Sequence, residues 1–287
     1  MKIIVAKDAG YCFGVRDAVN MAYDASEKYG EVYMLGDIVH NERVVGDLAN
    51  ANAKVVNDIK DVPDESPILF RAHGTVNEIW EEGKNRQMNI IDATCPLVHE
   101  IHREVKKLAS DGRQIIVIGD HGHDEVVAIA NQVENTIVVA NPEEANSIRK
   151  MKKAGVVSQS TQTIENVQEI INILMTKVFD LHFVNTICFP TKRNQEQIKT
   201  LADSSDVMVI IGSFTSANSK RLTQLSLERN KNSFQVTCAE DLESAWFKGA
   251  NQVGISAGAS TPDEIIDEVV MRIKKLNRVT KKEVIYE

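Results

Sequence analysis

The chain has 287 residues, 43% hydrophobic and 26% charged, with 15 Gly, 6 Pro and 4 Cys. Such proportions suit a soluble globular protein of two or three domains, and they exclude a disordered chain and a disulfide-built scaffold. The formal net charge of −8, from 33 basic and 41 acidic side chains, lacks the positive field of a generic nucleic-acid or anionic-membrane binder, which leaves room only for a local basic pocket.

The opening apolar run, residues 1–6, meets Lys7 and Asp8 too soon for a signal peptide, and no apolar stretch of roughly 18 residues follows. The expected setting is therefore cytoplasmic, where thiols stay reduced and cysteines tend to serve catalysis or metal binding. That first run leads through Asp8-Ala9-Gly10-Tyr11 to Cys12, after which Val15, Ala18, Val19 and Ala22 recur at helical spacing. A second run, residues 32–35, ends at Gly36, and a third, residues 68–70, ends in Arg71-Ala72-His73-Gly74-Thr75 before a helix predicted over 76–87. The pattern then restarts. Asn89-Ile90-Ile91-Asp92-Ala93-Thr94 precedes Cys95-Pro96, with Leu97, Ile101, Val105 and Leu108 on one helical face. Residues 115–118 end at Gly119, and Val156-Val157 pass into the polar stretch Ser158-Gln159-Ser160-Thr161-Gln162-Thr163 before a helix predicted over 164–178. Last, residues 183–187 reach Cys188 and a weaker amphipathic stretch at 195–201. Residues 207–211 end at Gly212, and 253–255 pass into Ser256-Ala257-Gly258-Ala259-Ser260-Thr261 before a helix predicted over 262–276.

Gly36, Gly119 and Gly212 each lie 24 residues after Cys12, Cys95 and Cys188 respectively. Four residues beyond each glycine stand His40, His123 and Ser216, and six beyond stand Glu42, Glu125 and Asn218. Matched offsets of this kind mark an internal repeat. Strands alternating with helices imply parallel sheets, whose ligand sites lie at the carboxyl ends of the strands. The expected fold is an α/β protein of three similar units with parallel sheets, in pseudo-threefold arrangement around one central site. The units run 1–94 with Cys12, 95–187 with Cys95 and 188–276 with Cys188, followed by a polar tail, 277–287, whose Val284-Ile285-Tyr286 docks on another unit.

Three cysteines near helix N-termini make a site that favours thiolate. No C-x-x-C pair is present, so zinc-ribbon and local ferredoxin spacings do not apply. An iron–sulfur cluster normally takes four thiolates, and three would leave one iron open to substrate. An ordinary buried cysteine is the alternative for any one of them, and the shared offset is what favours a common site. Cys238 has no counterpart in the other units and reads as structural. His40, His73 and His123, with Ser216, Asn218 and Ser260, form a set of donors suited to a phosphate or diphosphate, although each histidine alone fits a structural role and His73-Gly74-Thr75 also fits a helix N-cap. Glu125 fits either a proton donor or a first-turn helix acid. Thr163 fits either a group that holds a substrate hydroxyl or a cap for the following helix. A zinc hydrolase built from the same His and Cys residues is a second reading, and a diphosphate- or redox-sensing module a third.

The motifs resemble those of the 4-hydroxy-3-methylbut-2-enyl diphosphate reductases of the non-mevalonate isoprenoid pathway. The resemblance runs over nearly the whole chain, through Ala9-Gly10-Tyr11-Cys12-Phe13-Gly14-Val15, Val39-His40-Asn41, Ala72-His73-Gly74, Asp92-Ala93-Thr94-Cys95-Pro96-Leu97-Val98, Gly122-His123 with Glu125-Val126, Thr161-Gln162-Thr163, Thr186-Ile187-Cys188 with Thr191, Ser216 with Asn218, and Ala257-Gly258-Ala259-Ser260. It implies that Cys12, Cys95 and Cys188 hold a [4Fe–4S] cluster whose fourth iron takes the substrate's 4-hydroxyl oxygen. It implies that His40, His73, His123, Ser216, Asn218 and Ser260 bind the diphosphate, with Thr191 also in contact with substrate. Glu125, Thr163 and His123 become the catalytic set, and ferredoxin or flavodoxin the electron donor, the chain having no nucleotide or flavin fingerprint of its own. The sequence departs from the family pattern at Asp124 (usually Pro), at residues 128–132, at Ala217 (usually Ser), and at Pro190 and Asn194 (usually Ala and Arg). These departures surround the substrate positions, so a paralogue acting on a related allylic diphosphate is the alternative within the family.

Overall fold

The computed structural model describes residues 1–277 and 283–286. The chain opens with β1 (Lys2–Val5), α1 (Phe13–Tyr29), β2 (Val32–Leu35), α2 (Glu42–Asn50), β3 (Ala53–Val56), β4 (Pro67–Phe70), α3 (Asn77–Asn85) and β5 (Asn89–Asp92). It continues with α4 (Pro96–Ser110), β6 (Gln114–Ile118), α5 (Asp124–Ala130), β7 (Ile137–Val139), α6 (Pro142–Ser147), β8 (Met151–Ser158), α7 (Ile164–Met175) and β9 (Val178–Phe183). The last third holds α8 (Phe189–Ser204), β10 (Val207–Ile211), α9 (Ala217–Arg229), β11 (Ser233–Val236), β12 (Gln252–Ala257), α10 (Asp263–Asn277) and β13 (Val284–Tyr286).

The strands form three parallel sheets, ordered β3-β2-β4-β5, β7-β6-β8-β9 and β11-β10-β12-β1-β13. Ignoring β13, the three orders are the same, with β1 in the place that β5 and β9 hold in the other sheets. The α/β fold of three parallel sheets is thus as expected, but the opening strand departs from its expected place. Sequence position put residues 1–6 in the first unit, whereas β1 pairs with β12 from Lys2↔Gln252 to Val5↔Ile255. The physical reason is its two apolar faces: Ile3 and Val5 join the cluster of Val209, Ile255 and Val269, while Ile4 joins Ile198, Met208 and Leu222 on the opposite face. A strand buried on both faces belongs inside a sheet. The tail residues Val284-Ile285-Tyr286 extend that sheet beside β1. The rest of the expected tail, 278–282 and 287, lies outside the described residues.

The outer strands β3, β7 and β11 went unread in the sequence, being only three or four residues long and in part exposed. By compactness the described residues form two units, one of residues 1–13, 40–44 and the described part of 189–287, the other of residues 14–39 and 45–188. The first two sheets share one compact body. No described helix is long and apolar enough to cross a membrane.

Helix α4 shows how these elements are placed. Val98, Ile101, Val105 and Leu108 recur at helical spacing as buried residues, and the last three pack against Ile115, Val117 and Val157 of the second sheet. Close approach depends on Gly155 of β8, where a Cβ would lie 2.8 Å from the Leu108 Cβ. Gly155→Ala is expected to destabilise the protein by about 1–3 kcal/mol through overpacking. Urea unfolding would show it as a lowered midpoint at unchanged slope.

Candidate active site

Each of the three repeated cysteines directly precedes a helix, Cys12 before α1, Cys95 before α4 and Cys188 before α8. Each is fixed by the same backbone hydrogen bond. The N–H of Cys95 donates to Ala72 O (3.0 Å), that of Cys188 to Ser160 O (2.9 Å) and that of Cys12 to Ala259 O (3.3 Å). Those acceptors lie two residues beyond the ends of β4, β8 and β12, the neighbouring strand in each sheet. The connecting turns differ in length, yet they deliver each cysteine to an equivalent carbonyl.

Local chemistry braces each turn. Asp92 accepts from Thr94 N (3.0 Å) with one carboxylate oxygen and meets His99 Nε2 (2.9 Å) with the other, clamping the approach to Cys95. Before Cys188, Thr186 Oγ1 accepts from Ser158 N (2.7 Å) and donates to Ser158 O (2.6 Å). Before Cys12, the Asp8 carboxylate meets Gln197 Nε2 (2.8 Å) and Arg193 (3.0 Å) of α8. Gly10 turns there at φ +97°, and a Cβ on it would lie 2.9 Å from Ile266 Cδ1. Gly14 gives Cys95 its space, since a Cβ there would lie 2.5 Å from the Cys95 Sγ. No disulfide joins any of the four cysteines, all partly buried. Cys238 follows the outer strand β11, where its N–H donates to Asp241 Oδ2 (3.3 Å).

The larger unit brings together His73, His123 and Glu125. The two imidazole rings meet edge to face with centroids 5.6 Å apart. His123 is the N-cap of α5, its Nδ1 accepting from Glu125 N (3.2 Å), so the neutral ring carries its proton on Nε2 and presents that N–H as a donor. Glu125 is 1% exposed, and both of its oxygens are engaged by one residue, Oε1 by Ser160 N (2.6 Å) and Oε2 by Ser160 Oγ (2.8 Å). Ser160 thus ties the buried carboxylate to the carbonyl that anchors Cys188. Its role was not assigned from the sequence, although its polar strand-end motif marked the position. Thr163 caps α7, accepting from Asn166 N (3.3 Å). Capping uses its oxygen as an acceptor and leaves the hydroxyl hydrogen for a second partner.

His40, Thr191, Ser216, Asn218 and Ser260 lie in the smaller unit. Ser260 Oγ donates to His40 O (3.1 Å), and Ser213 Oγ donates to Glu42 Oε1 (2.6 Å), which ties the His40 segment to the turns after β10 and β12. Ser216 caps α9, accepting from Ser219 N (3.3 Å). Asn218, the second residue of α9, is buried, and its Nδ2 has no hydrogen-bond partner among the described residues. Gly212 and Gly258 face Ser219, whose Oγ a Cβ at either position would overlap. Thr191 is buried in the first turn of α8.

The model of the family described as LytB protein matches residues 3–274. This chain belongs to the LytB family. It is similar to the 4-hydroxy-3-methylbut-2-enyl diphosphate reductases of Geobacter sulfurreducens (39% identity, covering 98% of this chain and 100% of that protein) and Geotalea daltonii (41%, covering 96% and 98%). Among solved structures it is similar to the E-1-hydroxy-2-methyl-but-2-enyl-4-diphosphate reductase of Plasmodium falciparum, with a TM-score of 0.92 at 28% identity, covering 100% of this chain and 91% of that one. A structure of (E)-4-hydroxy-3-methyl-but-2-enyl diphosphate reductase matches at 36% identity and a TM-score of 0.71, covering 96% of this chain and 100% of that one.

The departures of this LytB chain have definite places. Asn194 is buried, donating to Ala257 O (3.1 Å) and accepting from Ser256 Oγ (3.1 Å), so it links α8 to the end of β12. Pro190 is the second residue of α8, where a missing N–H costs no intrahelical bond. Ala217 opens α9 beside its Ser216 cap. Asp124 pairs with Arg71, Oδ2 to Nη1 at 2.6 Å.

Behind His73, the Gly74 turn at φ +87° rests on His102, whose Cε1 would lie 3.0 Å from a Cβ at that position. Burial in this packing, reinforced by the charges of His99 and Lys106, lowers the His102 pKa to about 4. The unfolded chain therefore takes up a proton between about pH 6.5 and 4 that the folded chain does not, and stability falls as pH drops through that window. The loss is on the order of 2–3 kcal/mol. His102→Gln should show a shallower decline of unfolding free energy over this window, read by urea denaturation at a series of pH values.

Proposed function

We propose that this chain is an oxidoreductase that converts (E)-4-hydroxy-3-methylbut-2-enyl diphosphate, with two electrons and two protons, into isopentenyl and dimethylallyl diphosphates and water. The reading rests chiefly on the family match over residues 3–274 and draws support from the three cysteines held by one repeated hydrogen bond. Cys12, Cys95 and Cys188 would hold a [4Fe–4S] cluster, and the residues fit it. The thiols sit at the starts of helices of 17, 15 and 16 residues, which favour thiolate, and Gly14 leaves the Cys95 sulfur its place. When bound, the cluster supplies one-electron chemistry and an iron without a thiolate ligand.

The chain's own side chains do the rest. His40, His73, Ser216, Asn218 and Ser260 bind the diphosphate together with the Nε2–H of His123. The buried, partnerless Nδ2 of Asn218 is a donor that an anionic oxygen would satisfy. Thr191 contacts the substrate, and Thr163 orients its hydroxyl while capping α7. Glu125, buried and oriented through both oxygens by Ser160, gives the proton that lets the hydroxyl leave as water. Electrons come from ferredoxin or flavodoxin in a cytoplasmic setting that keeps the thiols reduced. The family match favours neither a zinc hydrolase nor a binding-only sensor.

Protein purified without oxygen should be brown, with a broad absorbance near ~410 nm from thiolate-bound iron. Cys12→Ser, Cys95→Ser and Cys188→Ser are each expected to lose most of that band, and Cys238→Ser to keep it; an essential Cys238 beside a dispensable Cys12, Cys95 or Cys188 contradicts the ligand assignment. Glu125→Gln should retain diphosphate binding while turnover with a strong one-electron reductant falls about 100-fold or more, the scale of a lost general acid. Unchanged turnover removes Glu125 from the mechanism.

A further inference from the structure

We propose that Arg71, held in position by Asp124, binds the substrate's diphosphate beside His73 and His123, an assignment that rests on the reductase reading. The side chains assigned to the diphosphate are histidines, serines and an asparagine, none with a permanent positive charge. A diphosphate carries several negative charges, and a guanidinium answers them with up to five N–H donors in a planar fork.

Arg71 is the first residue beyond β4 and stands two before His73, while Asp124 follows His123 and precedes Glu125. Both are half-buried, at 26% and 29% exposure. An oxygen of Asp124 lies within 4.8 Å of a His73 ring nitrogen, so the carboxylate borders the histidine pair. Alone, it would repel an incoming anion. The Arg71 guanidinium removes that conflict by donating from Nη1 to Asp124 Oδ2 (2.6 Å), and this single bond leaves the donors on Nε and Nη2 for phosphate oxygens. Its place is set from a third side by Gly36, at the end of β2, where a Cβ would lie 2.7 Å from Nη1 and 3.2 Å from Cζ. The guanidinium therefore rests on bare backbone, between the turn that carries His73 and the turn that carries His123. Asp124 is a positioning residue here. It aims the cation and keeps it from folding back onto the surface.

The test titrates inorganic diphosphate into the anaerobically purified, cluster-loaded protein by calorimetry, and measures KM and kcat for the allylic diphosphate with a strong one-electron reductant. Arg71→Gln is expected to weaken diphosphate binding and raise KM by about tenfold, with kcat within about threefold of wild type, as for a lost charged hydrogen bond made in ground and transition states alike. Adding Asp124→Asn to that variant should recover part of the lost affinity, because the uncompensated carboxylate is then gone. A folded Arg71→Gln protein with wild-type affinity and KM overturns the assignment, as does a double variant that binds no better than Arg71→Gln alone. Should Arg71→Gln not fold, Arg71→Lys decides: a threefold or greater loss of diphosphate affinity supports the assignment, and wild-type affinity overturns it. Wild-type protein that neither binds diphosphate nor turns over the substrate fails the reductase reading itself, a result distinct from any of these.

Discussion

The backbone hydrogen bond from a cysteine N–H to the carbonyl two residues beyond the adjacent strand is the constraint on which the candidate site depends. It occurs at Cys12, Cys95 and Cys188, once in each of the three parallel sheets. Parallel strands end together at one edge, so a segment leaving one strand can pair briefly with the segment leaving its neighbour before the helix begins. The cysteine is placed at that last shared position. Its backbone is then as fixed as the sheet, while the side chain stands at a helix start that favours its anionic form.

The same topology carries different chemistry in each repeat. The turns after β2, β6 and β10 all precede a helix, but they bring histidines in the first two and Ser216 with Asn218 in the third. The turn after β8 supplies Ser160, whose carbonyl anchors Cys188 while its N–H and hydroxyl orient Glu125. One residue thus links the Cys188 turn to the buried Glu125 carboxylate. The turn after β4 supplies His73 over a glycine packed on neutral His102, a rigid and uncharged backing. Arg71 stands in the same turn, and Asp124 at the start of α5 pairs with it.

Much of this was legible in the sequence because the repeat is written in offsets. The spacing of 24 residues from each cysteine to the next strand-ending glycine picked out Cys12, Cys95 and Cys188 and set Cys238 apart. Strand–helix alternation gave parallel sheets, and the helix read over 76–87 appears as α3 at Asn77–Asn85. What escaped was information that exists only between segments. The offset rule is blind to which sheet a strand joins, so residues 1–6 were grouped with their sequence neighbours although their two apolar faces fit beside β12. Ser160, Gly14 and Arg71 matter through partners 35, 81 and 53 positions away, Glu125, Cys95 and Asp124 respectively, and no local pattern records such pairings. Thr163, read either as a holder of a substrate hydroxyl or as a cap, does cap its helix. His123 caps α5 although no cap was read there, whereas the N-cap read at His73-Gly74-Thr75 is not formed, α3 beginning after Val76 without a side-chain cap bond.

The central claim is that three anchored thiolates hold an iron–sulfur cluster with one iron left for the substrate. Mössbauer spectroscopy of anaerobic protein enriched in the Mössbauer isotope of iron, recorded with and without the allylic diphosphate, addresses it directly. The account predicts a cluster spectrum in which the signal of one iron shifts when the diphosphate is added while the others hold their positions. A protein that binds no cluster iron, or a spectrum indifferent to the substrate, would contradict it.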